Sequence, residues 1–183
     1  MQQRFVAEQW LPFPRTLVFA FFANPENLPP LMPAWQQARI EEATFCPPPP
    51  RPDYTPDYGT VAAGSGTRLT ITARALPGLP LRSPWDALIE DFRWNEGFCD
   101  VQLRGPFAYW RHCHSVRDGH SPTVEPGTIV RDEVSYELPL DPASRLGLPV
   151  ARAAMQLLFG YRQRRASVLL PQFAAQVKAA AQR

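Results

Sequence analysis

Two histidines one residue apart, His112 and His114, are the strongest chemical signal in this chain. On an extended strand, residues i and i+2 project to the same face, so the two imidazoles point together. Trp110 shares that face. The preceding segment, Phe98 to Arg104, presents Asp100, Gln102 and Arg104 on one side by the same alternation. A third segment, Thr128 to Leu138, sets Val130, Asp132, Val134, Tyr136 and Leu138 against Ile129, Arg131, Glu133, Ser135 and Glu137. The set containing Val130 is the buried one. Asp132 is then a carboxylate on an apolar face, and it needs a partner.

If these side chains face one interior, three kinds of chemistry are open to them. His112 or His114 beside Asp132 or Asp100 could act as a general base or orient a ligand. A His-x-His pair could bind a metal with Asp132 or Asp100 as third ligand, but nothing in the sequence demands one, so no metal or other cofactor is expected. The expectation carried forward is a satisfied hydrogen-bond network that stiffens a sheet and shapes a pocket. Cys113 falls on the opposite face from the histidines, which disfavours a Cys–His nucleophile pair. The chain has no G-x-S-x-G, no phosphate-cradling glycine loop, no H-E-x-x-H and no dinucleotide fingerprint.

The elements that must position these residues can be read from periodicity. Arg4 to Leu11 alternates as a first strand. Pro14 opens a helix carrying Leu17, Val18, Phe21 and Phe22, and Asn24-Pro25 starts a second, short one. Strands are expected over Gln37–Thr44, Thr67–Ala75, Leu81–Phe92, Phe98–Arg104, Phe107–Val116 and Thr128–Leu138, with turns at Gly105-Pro106 and Asp118-Gly119. From Pro142 onward the pattern is helical, with a stripe of Val150, Ala154, Leu157, Leu158, Tyr161, Val168 and Leu169, widened by Met155, Phe159, Leu170 and Phe173. Gly147 and Pro149 should break its entry, Pro171 should kink its far end, and Gly160 asks for a packing reason.

Composition limits the alternatives. The 183 residues, 45% hydrophobic and 20% charged, suit one globular domain spanning residues 1–183. Of the 22 prolines, six lie between Pro47 and Pro56, and residues 46–60 read as a mobile surface loop of polyproline character. Cys46, Cys99 and Cys113 form no C-x-x-C pair and suggest no disulfide, which suits a reducing, cytoplasmic location. No stretch is long and apolar enough for a membrane span. Net charge is +2, yet no acidic residue follows Asp141, so a basic final helix is expected against an acidic body. Trp35, Trp85, Trp94 and Trp110 lack the accompanying basic stripe that nucleic-acid stacking would need.

The order of elements, together with the segments EQWLPFPRTLVFAFFANPENLPPLMPAW, FCDVQLRGPFAYWRHCH, RDEVSYELPL and LFGYRQRR, resembles the START-like or SRPBCC superfamily. The resemblance covers nearly the whole chain and implies an α+β helix-grip fold, with a curved antiparallel sheet of six to seven strands around a long C-terminal helix. It also implies that Asp100, Gln102, Trp110, His112, His114 and Asp132 occupy characteristic positions. The proline-rich insertion and a longer HSPTVEP turn depart from that pattern, both in loops. That superfamily spans carriers and enzymes, so the fold does not fix the function.

The expected function is binding or transport of a small hydrophobic or amphipathic molecule (lipid, polyketide or quinone-like) between sheet and helix. Its contacts would be Asp100, Gln102, Trp110, His112, His114, Asp132, Tyr136, Leu158 and Tyr161. One alternative is a cyclase, dehydratase or hydrolase using His112, His114 and Asp132 as catalytic groups. Another is an interaction module docking through the proline-rich loop or the basic helix. Neither a nucleic-acid partner nor integral membrane association is expected.

Overall fold

A computed structural model describes residues 2–74, 78, 81–139 and 142–182, with the backbone alone for 142–147. The elements run β1 (Gln3–Leu11), α1 (Arg15–Ala23), α2 (Leu28–Leu31), β2 (Arg39–Thr44), β3 (Arg68–Arg74), β4 (Arg82–Arg93), β5 (Gly97–Arg104), β6 (Tyr109–His120), β7 (Pro126–Glu137) and α3 (Pro142–Ala180). A 3₁₀ turn over Pro25–Asn27 precedes α2, capped as expected by the Asn24 side chain, which accepts from the Glu26 amide at 3.0 Å.

The seven strands form one antiparallel sheet in the order β1-β7-β6-β5-β4-β3-β2. Alternation is strict where one face is buried. In β7, Val130, Asp132, Val134 and Tyr136 are buried while their neighbours are half-exposed. β1 and β2 are the two edges, so the α1–α2 segment between them must cross the breadth of the sheet. With α3 it closes the concave side.

Several local expectations are corrected. Asp118-Gly119 is not a turn; β6 continues through it, pairing Asp118 with Thr128 and Gly119 with Gly127, and the reversal falls over residues 121–125. The alternating register of a long hairpin overrides a two-residue turn signal. Helix α3 is not broken at its entry, since it is continuous through Gly147 and Pro149, and Pro171 also lies within it. Its core-facing stripe is Met155, Phe159, Ala166, Leu170 and Phe173, whereas Val150 and Leu157 are 69% and 73% exposed. Both faces of α3 carry apolar side chains, so hydrophobicity alone leaves its rotation undetermined. A Cβ on Gly160 would meet only the Arg164 guanidinium at 3.8 Å, so no packing demand explains that glycine. Ala75, at the expected end of β3, and Asp141 lie outside the described residues, as does the side chain of Arg145. The basic residues Arg152, Arg162, Arg164, Arg165 and Lys178 of α3 make no ion pair with the body among the described residues.

The proline tract is tied down rather than free. Trp94 donates its indole N–H to the Pro49 carbonyl at 2.8 Å, and Asn95 reaches the buried Thr55 hydroxyl at 2.6 Å. The Tyr58 and Thr16 hydroxyls pair at 2.8 Å. Gly64 lies so close to the Pro47–Pro48 backbone that a Cβ there would stand 2.6 Å from it. Six prolines remove backbone donors, and the body supplies donors to the tract instead.

The cysteine expectation is also corrected. Cys99 and Cys113 face each other across β5 and β6 and form a disulfide, with Cα atoms 4.0 Å apart. Their separation of 14 positions has no motif signature, because only the hairpin register brings them together. Cys46 is the free cysteine.

Candidate functional site

The β5–β6 hairpin builds the site. Gly97 opens β5, and any Cβ there would collide with the His114 carbonyl, so glycine permits the close start of the pair. From that start the register sets Phe98 opposite His114 and Asp100 opposite His112, while β7 sets Asp132 opposite His114. Four polar side chains are thereby delivered to one inward patch.

Their contacts form a row. His112 Nδ1 lies 2.9 Å from Asp100 Oδ2, and His112 Nε2 lies 3.0 Å from Asp132 Oδ1. His114 Nδ1 lies 2.6 Å from the same Asp132 oxygen, and the Arg162 guanidinium stands 3.4 Å from His114 Nε2. The Asp132–His114 contact is short but off the direction of a good hydrogen bond, so its attraction is chiefly between charge and ring dipole. Trp110 donates its indole N–H to the second Asp100 oxygen at 3.1 Å.

His112 and His114 are only 2% and 7% exposed, so these interactions act in a low dielectric. Burial lowers the pKa of His112, but the adjoining Asp100 and Asp132 carboxylates outweigh it and raise the group above its ordinary value. For His114, burial and the neighbouring His112 charge both act downward and exceed the pull of Asp132, so it is held neutral. Burial pushes both carboxyls up, yet the imidazoles hold Asp100 below its ordinary range and Asp132 well below it. The arrangement reads Asp⁻, HisH⁺, Asp⁻, His, Arg⁺, with alternating sign and no net charge. The tautomer this assigns to His114 carries its proton on Nδ1, leaving the Nε2 lone pair toward Arg162.

Apolar groups enclose the row. His114 stacks on Phe22 with centroids 5.5 Å apart and tilts against Phe98 at 5.1 Å. Phe159 of α3 meets His112 edge-on at 5.3 Å. The two imidazoles thus join the core cluster of α1 to a second cluster of Trp110, Val134, Tyr136, Met155 and Phe159.

Above the row opens a cavity of about 960 Å³, bounded by β3–β6, the α1–α2 segment and α3. Its walls are largely apolar, including Leu69, Ile71, Trp85, Met32 and Leu158. Of the residues expected at the site, Asp100, Trp110, His112, His114, Leu158 and Tyr161 line this cavity. Asp132 and Tyr136 do not; they sit behind the lining, Asp132 as the carboxylate that both imidazoles contact. Gln102 also lies away from it. Its amide donates to the Phe107 carbonyl at 2.7 Å and accepts from the Phe107 amide, holding the β5–β6 turn.

Sequence reasoning misses Arg162 as a site residue, because it reads as one of several helix charges. The available signal is its position, since Met155, Phe159, Arg162 and Ala166 fall at the 4-3-4 spacing of the buried stripe. Asp100, His112 and His114 place one donor atom each within 4.8 Å of one another. Both His112 nitrogens face carboxylates, so a cation there would have to displace existing partners. A second cavity, of about 550 Å³, lies under the proline tract, where the charged Arg51 and Asp57 pair with each other at 2.6 Å.

Neither a family model nor a curated protein matches the sequence. Solved structures do match the fold. A crystal structure of TTHA0849 from Thermus thermophilus is similar with a TM-score of 0.55 at 19% identity, covering 97% of this chain and 99% of that one. A crystal structure of Ara h 8.0201 is similar with a TM-score of 0.53 at 13% identity, covering 91% and 99% respectively. The seven-stranded antiparallel sheet with its long C-terminal helix is a Bet v 1-like helix-grip fold.

Proposed function

We propose that this protein binds or carries a small hydrophobic or amphipathic molecule, of lipid, polyketide or quinone type, in the cavity between sheet and α3. The observation that carries the reading is the cavity itself. A space of about 960 Å³ with mainly apolar walls and a few convergent polar groups is the usual form of a small-molecule site. A domain of this size has the core to close such a space, yet leaves it open. The likeness to Bet v 1-like and SRPBCC domains supports a ligand-binding fold in general and leaves the ligand open.

A second reading, acid–base catalysis, draws on one specific observation. His114 is neutral, touches Asp132 through Nδ1 and lines the cavity, an arrangement suited to a general base. Docking through the proline tract finds less support, because that tract is engaged by Trp94, Asn95 and Tyr58. The cytoplasmic assignment loses its cysteine argument with the Cys99–Cys113 bond, and no described helix is long and apolar enough to cross a membrane.

Native mass spectrometry of the purified protein, followed by denaturing extraction, tests the carrier reading. A co-purifying apolar molecule near one per chain is the expected result. An empty protein that also fails to take up the neutral dye N-phenyl-1-naphthylamine saturably would sink it.

A further inference from the structure

Arg162 is a half-buried cation facing an apolar cavity, and among the described residues no carboxylate lies within ion-pair reach of it. Its guanidinium rests 5.2 Å from the Phe159 ring centroid and makes one polar contact, at 3.4 Å, to His114 Nε2. A guanidinium carries five N–H donors in a planar fork, so most of this one's donors have no protein partner among the described residues. Among the described residues, Asp100 is the only acidic one lining the cavity, and His112 and Trp110 already hold its two oxygens. The other charged residues among the described lining, Arg74, Arg164 and the His112 imidazolium, are also cations. Within the row, Asp100, His112 and His114 line the cavity with Asp132 behind them, and Arg162 is the charged member with no carboxylate in direct contact among the described residues. The row is balanced in charge, so it is the guanidinium's unmet donors beside a mostly apolar space that ask for acceptor oxygens from the occupant.

We infer that the ligand is an amphipathic carboxylate whose head group pairs with Arg162 beside His114 while its apolar body fills the space toward Trp85, Leu69 and Leu158. Two parallel N–H···O bonds from a planar fork to a planar carboxylate give both attraction and orientation. His114 fixes one side of the fork and Phe159 supports its face, so the guanidinium is positioned in advance. This rests on the carrier reading above and narrows its ligand class.

A matched pair of competitors tests it. Dodecanoate below its micelle concentration and dodecan-1-ol below its solubility limit are titrated against protein loaded with the neutral dye N-phenyl-1-naphthylamine. Wild-type protein should release dye at roughly ten-fold lower dodecanoate than dodecanol, in keeping with a charge-assisted pair out of water. Arg162→Met, which keeps the apolar stem, should bring the two within about two-fold while leaving dye and dodecanol affinity in place. Arg164→Met should keep the preference. Equal release by both competitors in wild-type protein overturns the inference and leaves the carrier reading standing, as does a preference that survives Arg162→Met or vanishes in Arg164→Met. A protein that binds neither dye nor either competitor overturns the carrier reading, and this inference with it.

Discussion

The two faces of the β5–β6 hairpin are held by opposite means. On the inner face, Asp100 pairs with His112 and the row continues through Asp132 and His114 to Arg162, all by charge and hydrogen bonds. On the outer face, directly behind, Cys99 and Cys113 are joined covalently. The cysteine pair lies between the Asp100–His112 and Phe98–His114 pairs in the ladder, so one bond fixes the register of both. Buried ionic rows are costly to desolvate and are disrupted badly by the loss of one member. A covalent link on the reverse of the same strands keeps the partners aligned whatever their charge. Alternation thus lets one short hairpin carry chemistry on one side and restraint on the other.

The largest effect should come from breaking the inner face. Asp132→Ala removes the carboxylate that both imidazoles contact, leaves the His112 cation with Asp100 alone and unbalances the buried row, and should cost about 3–5 kcal/mol of stability. Urea unfolding measures this, and a loss under about 1 kcal/mol would show that the row contributes little. Breaking the outer face comes next. The double variant Cys99→Ala, Cys113→Ala opens a loop of 14-position separation and should cost about 3 kcal/mol on the loop-closure estimate. Reductant on wild-type protein should reproduce that loss, whereas insensitivity to reductant would mean the thiols are not joined in solution.

The smallest effect is in the pH profile, and it sharpens the inner face alone. His112 has a raised pKa, so its stabilisation is full below the ordinary 6.5 and is lost as pH climbs through the higher folded value. His114 has a lowered pKa, so the unfolded chain takes up its proton first and stability is lost as pH falls below 6.5. Asp100 and Asp132 contribute above the ordinary 3.8 and lose that contribution as pH falls through their lower folded values. The two histidine slopes lie on opposite sides of the ordinary value, so the wild-type profile should crest near 6.5 and fall away on both sides. His114→Gln removes the fall on the acid side of 6.5 and leaves the His112 fall with rising pH above it. A profile that instead rises above 6.5 contradicts the charged state assigned to His112.

Much of the inner face is legible in the sequence because a strand's period of two sorts residues without knowledge of their partners. Trp110, His112 and His114 on one face, and Asp132 on the buried face of β7, follow from alternation alone. What stays hidden depends on register and rotation. The Cys99–Cys113 bond needs the cross-strand pairing, which no local spacing encodes. Gln102 shares the inward parity, yet its amide finds the Phe107 backbone first. The rotation of α3 escapes because Val150, Leu157 and Val168 make its outer face apolar too, while small Ala166 sits in the core. Arg162 looks like one more surface charge for the same reason. The proline tract, without periodicity, gives no hint of Trp94 and Asn95 waiting in the β4–β5 turn to hold it.

The strand order also has a consequence in time. Gln3 pairs with Tyr136, so 133 positions separate the first and last partners of the β1–β7 ladder (136 − 3). On a ribosome adding roughly 5–20 residues per second, β1 therefore waits roughly 7–27 s for its strand partner to be made. Strands β2 to β7 can zip up as successive hairpins in that interval, while β1 joins last across the longest loop. Throughout that wait β1 is an open template for any other extended chain. Its charged Arg4 and Glu8, which end up paired to Glu133 and Arg131, are then the groups that discourage a wrong partner.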